Sequence, residues 1–140
     1  MPLNRELVGK EYGQVELDVE RDRIVRFADA IGDGEPRYRS DDPIAPPTFP
    51  TVLQIATGGQ IVLDPELGLD YSRVVHGEQE YVIERPLKAG DHLVAMPRIA
   101  DIYAKGPNEF LVTETVVRDA SGEVVVRGLS TLISRGTAER

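Results

Sequence analysis

The sequence predicts an α+β fold in which a curved antiparallel β-sheet wraps around one long central helix. Three observations predict it. The stretch 45–63 contains no charged residue, although 29% of the chain is charged. Within it Phe49, Val52, Leu53, Ala56 and Leu63 recur at helical spacing, and Ile55 and Val62 are apolar on the other side. Nearly everything after it reads as strands joined by turn residues. A helix apolar on nearly all sides has to be enclosed by other elements, and the strands that follow are the ones available to do it.

The elements follow in order. Val15, Leu17 and Val19 alternate with Glu16, Asp18 and Glu20, the pattern of a short half-buried strand. Ile24, Phe27, Ala28 and Ile31 form one stripe of an amphipathic helix over 21–31, stopped by Gly32. Gly, Pro, Asp and Ser make 32–47 a loop. The central helix is predicted over 48–63. Thr48 is its expected N-cap, and Pro50 fits a first turn, where backbone donors lack helical partners. Residues 64–70 make a polar connection. Strands are then predicted over 73–85, 92–103, 110–118 and 124–133, with Pro97 requiring a bulge or an edge position. The links Lys88-Ala89-Gly90-Asp91, Lys105-Gly106-Pro107-Asn108 and Asp119-Ala120-Ser121-Gly122 are turn chemistry. The tail 136–140 is expected to fray. A helix held in such a sheet is the architecture of a hotdog fold. Its sheet edges favour pairing, so a homo- or heterodimer is expected.

Composition bounds the function. A length of 140 residues with 41% hydrophobic residues implies a single domain over 1–140. The net charge is −8 and no basic patch is visible, which argues against nucleic acid as a partner. The same acidity argues against an anionic membrane face. Three prolines, paired glycines and two glutamines argue against a membrane span in 45–63. The absence of cysteine excludes disulfides, Cys-ligated metal and a Cys nucleophile. Neither His has metal-like spacing to a second ligand, and Gly34 opens no phosphate-binding loop, so no metal and no cofactor are expected. The N-terminal residues lack the apolar core of a signal peptide, and a cytoplasmic location is the expectation.

The stretch Phe27-Ala28-Asp29-Ala30-Ile31-Gly32-Asp33-Gly34-Glu35-Pro36-Arg37-Tyr38 carries the most information about chemistry. It resembles the hydratase motif of the MaoC-like dehydratase family, in which a helix runs into Gly-Asp-x-Asn-Pro-x-His. The stretches 44–49, 68–77 and 85–91 also resemble that family. Together they are similar to the N-terminal MaoC-like dehydratase domain, including the first, substrate-binding subunit of heterodimeric (3R)-hydroxyacyl-ACP dehydratases. The resemblance implies a hotdog fold and addition or removal of water on an acyl thioester, by a motif Asp and His. One group handles the α-proton and the other the β-hydroxyl. Gly32, Asp33 and Pro36 match the motif, whereas Glu35 takes the Asn position and Tyr38 the His position. A phenol, ordinarily near pKa 10, replaces an imidazole poorly at neutral pH. The loop from Tyr38 to Ile44 also looks shorter than the family's.

The resemblance therefore implies a component of a (3R)-hydroxyacyl-thioester dehydratase or enoyl hydratase of fatty-acid or polyketide-type metabolism. It would bind acyl-ACP or acyl-CoA while a MaoC-like partner supplies Asp and His, and would be weak or inactive alone. Asp33 and Tyr38 are the candidate catalytic positions; a turn residue and a packing residue are the plain alternatives. Pro47, Thr48, Phe49, Thr51 and His76 are the candidate substrate-binding residues. The backbone donors of Thr48, Phe49 and Thr51, at the positive end of the central helix, face the thioester carbonyl by this analogy. His76 is otherwise a structural or interface residue. Two further readings stay open: an acyl-thioester-binding hotdog protein without turnover, and a hotdog thioesterase using Asp33 or Glu35.

Overall fold

The computed structural model describes residues 2–139. Five strands, β1 (Val15–Asp18), β2 (Val74–Ile83), β3 (His92–Lys105), β4 (Asn108–Arg118) and β5 (Val124–Ser134), form one antiparallel sheet in the order β1-β3-β4-β5-β2. Helix α1 (Arg21–Ala30) precedes helix α2 (Thr51–Val62), and the sheet curves around α2. This is the predicted α+β hotdog arrangement, with each predicted strand within a few residues of its observed bounds. Strands β3 and β4 alternate strictly, one residue buried and the next half-buried, over 92–99 and 108–117. That alternation places Leu93, Ala95, Ile99, Leu111 and Val117 in the core. Pro97 lies beyond the β1 ladder, and its carbonyl accepts from the Tyr12 N–H, so no ladder bond is lost. A bulge follows between Ile99 and Asp101.

The central helix is shorter than predicted and less enclosed. It begins at Thr51 with Pro50 as N-cap, and no side chain caps it; Thr48 instead accepts the Thr51 N–H through its backbone carbonyl. The prolines at 46, 47 and 50 hold 46–50 in turns ahead of the helix. Of the predicted stripe, Phe49 and Leu53 are buried, Val52 is half-buried, and Ala56 and Leu63 are exposed. The enclosed face is Leu53, Thr57 and Ile61. Thr57 can occupy it because its hydroxyl donates to the Leu53 carbonyl at 2.9 Å. Ile55 remains 74% exposed on the other face. In α1 the stripe ends at Ala28, and Ile31, after the helix, is exposed.

The tail expected to fray is fastened over its described part. The Thr137 hydroxyl donates to Glu109 Oε1 at 2.7 Å, the Leu3 N–H donates to the same oxygen at 2.9 Å, and the Ala138 N–H bonds the Pro107 carbonyl. Arg140 lies outside the described residues. Behind α2, the Asp64 carboxylate accepts from Lys10 Nζ and the Tyr12 hydroxyl, each at 2.7 Å, and fastens the N-terminal arm. These donors hold the Asp64 carboxyl down at about 2, and burial beside Asp64 pushes the Tyr12 phenol up. No helix among the described residues is long and apolar enough to cross a membrane.

Candidate functional site

Helix α1 ends as its sequence requires. Gly32 adopts φ 72°, and the Asp33 N–H returns to the Ala28 carbonyl at 3.0 Å. The Asp33 carboxylate then accepts from the Glu35 N–H at 3.0 Å, starting the short helical turn Pro36–Tyr38. Asp33 thus acts as a turn residue in this chain. Tyr38 is carried the other way, into the protein, and is only 3% exposed. The Arg37 guanidinium covers its ring at 5.3 Å and reaches its hydroxyl at 3.5 Å, a long contact.

Two cavities flank the start of α2. The first, about 190 Å³, is walled by Tyr38, Ala45, Pro46, Pro47, Pro50 and Leu87. Tyr38 and Pro47 meet there. Of the two motif positions, Tyr38 walls this cavity and Asp33 does not. The second, about 430 Å³, is a groove along the open face of α2, between that helix and strands β2, β4 and β5. Ligand pockets usually measure roughly 300–1,000 Å³, so only the groove has the size for an acyl chain. Thr51 and His76 both line it. His76 stands exposed beside a bulge in β2, its Nε2 paired with Gln79 Oε1 at 3.1 Å. Gly77 packs closely at that bulge: a Cβ would stand 2.9 Å from Ile133 Cδ1, and the Ile133 side chain would have to shift.

The expected row of free backbone donors needs correction. The Phe49 N–H bonds the Pro46 carbonyl at 2.9 Å, and the Thr51 N–H bonds the Thr48 carbonyl at 3.0 Å. The proline-rich entry folds these donors into turns, which leaves Thr48 as the donor of the three without such a bond among the described residues. The Phe49 side chain is wholly buried against Phe27, with ring centroids 5.4 Å apart. Thr48 is exposed.

Sequence reading missed the groove residues Gln54 and Ser130, and Tyr81, which adjoins the groove through Thr51. The Tyr81 hydroxyl lies 2.7 Å from the Thr51 hydroxyl, tying β2 to the start of α2. Burial raises the Tyr81 phenol above its ordinary pKa. Gln54, one of two glutamines in an uncharged helix, was an available signal. Among the described residues no cluster of three or more acidic, His or Cys side chains is placed to hold a metal ion.

A sheet curved around a helix, with a motif loop at one end and a groove along the helix, defines a hotdog protein of the dehydratase type. The family model "FAS1-like, dehydratase domain region" matches residues 6–127, and the chain belongs to that family. A UPF0336 protein of Saccharopolyspora erythraea is 43% identical over 149 residues, covering 99% of this chain and 96% of the relative. The HadBC (3R-hydroxyacyl-ACP dehydratase) complex of Mycobacterium tuberculosis contains a chain that superposes with a TM-score of 0.77 at 25% identity. That match covers 88% of this chain and 92% of the other. A MaoC-like dehydratase superposes with a TM-score of 0.83 at 21% identity, covering 92% of this chain and 42% of the larger one.

Proposed function

We propose that this chain is the acyl-binding component of a (3R)-hydroxyacyl-thioester dehydratase, acting on acyl-ACP or acyl-CoA with a MaoC-like partner that supplies Asp and His. The observation that carries the reading is that the two motif positions are used differently. Asp33 is engaged in a turn, while Tyr38 is buried in a cavity too small for a substrate. Elimination of water needs a base at the α-carbon and an acid at the β-hydroxyl, both within hydrogen-bond reach of one substrate. The groove along α2 supports the binding half of the work. Thr51 and His76 bind there, Thr48 offers an N–H left unbonded among the described residues at the helix start, and Pro47 belongs to the turn that leads into it.

Strand β2 supports the partnership. It is a sheet edge, exposed along most of its length, and Ile55 and Tyr71 are exposed on the groove it borders. Pairing of that edge with a second hotdog chain closes the groove and covers these side chains. The HadBC likeness supports a subunit of a complex. The role of Asp33 in its turn weighs against a thioesterase built on it. The test is hydration of crotonyl-CoA by the chain mixed with a MaoC-like subunit carrying an intact Asp and His. Turnover is expected to rise above that of the partner alone; a mixture no more active than the partner contradicts the reading.

A further inference from the structure

Gln54 sits three residues after Thr51 on the groove face of α2. Its Oε1 is buried and has no hydrogen-bond partner among the described residues. Folded proteins leave few such atoms, because an amide oxygen shut away from water loses its hydration without compensation. The sheet makes room for it at Gly128 of β5. A Cβ at that position would stand 3.0 Å from Gln54 Oε1 and 3.3 Å from Tyr81 Cε1. The amide, the missing side chain and the Tyr81 ring therefore belong to one local arrangement.

Thr51 and Tyr81 complete it. Their hydroxyls lie 2.7 Å apart, and either one can donate to the other. Two hydroxyls carry two hydrogens, so this pair uses one and leaves one available. The cluster thus offers one free donor and one free acceptor, Gln54 Oε1. An alcohol is both acceptor and donor, and a methylene is neither. The elevated pKa of Tyr81 keeps its proton in place at neutral pH. The groove is graded along its length. Thr51, Gln54 and Ser130 line the polar end, with Tyr81 behind Thr51, whereas Val62, Val74 and Leu132 line the other end. A chain whose thioester lies near the start of α2 passes the polar cluster before its tail reaches apolar side chains.

We infer that Gln54, with Thr51 and Tyr81, forms a hydroxyl-recognition subsite, so that the groove favours acyl thioesters carrying a hydroxyl beyond the β-carbon over unsubstituted chains of the same length. The inference rests on the groove being an acyl site. Gln54 is a specificity residue in this scheme, and no bond to it is made or broken.

Calorimetric titration of the full-length chain tests it. The probes are octanoyl-CoA and the hydroxyoctanoyl-CoA isomers with the hydroxyl at each carbon beyond the β position. At least one isomer should bind about tenfold tighter than octanoyl-CoA, the worth of a buried hydrogen bond made to otherwise unpaired groups. Gln54→Met keeps the length of the side chain and removes the amide; it should abolish the preference by tightening octanoyl-CoA and weakening the favoured isomer. Gly128→Ala crowds Oε1 from the sheet and should abolish the preference independently, which covers the case of an unstable Q54M protein. Melting curves of both variants verify folding. Equal affinities in the wild type, or a preference kept by the folded variants, would overturn the subsite and leave the acyl groove standing. Failure of every acyl thioester to bind would overturn both.

Discussion

The two faces of α2 differ in kind. The face with Leu53, Thr57 and Ile61 is closed, and its one polar side chain is paired: Thr57 bonds the Leu53 carbonyl and lies 3.3 Å from the Thr115 hydroxyl. The face with Thr51, Gln54, Ile55 and Gly58 borders a groove, leaves Ile55 bare and leaves an amide oxygen unpaired among the described residues. The closed face has what a single chain needs to fold. The open face has apolar surface and hydrogen-bonding capacity that a single chain does not use. A residue's identity does not separate the two, since Leu53 and Ile55 are equally apolar; their neighbours do.

The largest effect should come from putting a charge on the closed face. Leu53→Asp leaves a carboxylate among apolar groups without a partner and should cost roughly 4 kcal/mol or more, read as loss of a cooperative urea transition. Ile55→Asp, two residues away, should change the folding transition of the isolated subunit by no more than about 0.5 kcal/mol. A similar cost for both would erase the distinction between the faces. Ile55→Asp instead bears on assembly. If the open face and β2 meet a second chain, the wild type sediments as a dimer and I55D shifts towards the 15.4 kDa monomer at micromolar concentration. A wild type that sediments only as a monomer removes that role for the face.

A smaller effect distinguishes the fastening behind α2. The Asp64 carboxyl is held down to about 2 by Lys10, Tyr12 and the Glu66 N–H. A carboxyl depressed by folding adds stability that is present above its ordinary value and lost as pH falls through the folded one. The advantage of the wild type over Asp64→Asn should therefore hold at neutral pH and shrink between about pH 4 and pH 2. A gap that stays constant over that range would mean that the carboxylate charge is not what fastens the arm.

Much of this was legible in the chain. The uncharged stretch located α2, and the Gly and Pro turns separated the strands, because these are local signals. The wrong stripe on α2 has a physical cause. Helical periodicity shows which residues share a face, but a face along a groove can be as apolar as one in a core. Thr57 was passed over as polar although its own backbone satisfies it. The tail was expected to fray because its partner, Glu109, is 28 residues away. At the site, the motif positions Asp33 and Tyr38 were plain, yet their different uses were not, since Asp33 is taken up by the Glu35 N–H and Tyr38 is buried. The donors at Phe49 and Thr51 were lost to turns set by Pro46 and Pro50, which the sequence showed as prolines without showing the turns.

The most direct measurement of the central claim uses the unmodified chain alone. A purified preparation free of partner proteins is assayed with crotonyl-CoA at neutral pH, and binding of an acyl-CoA is measured on the same sample. General acid–base assistance typically contributes about 10²–10⁴-fold, so a chain without the assembled pair should bind ligand while turning over slower than a competent hydratase by about that factor. Robust turnover that Asp33→Asn abolishes and partner proteins leave unchanged would contradict the account, because it would mean that Asp33, with Tyr38 or His76, forms a working site within this chain.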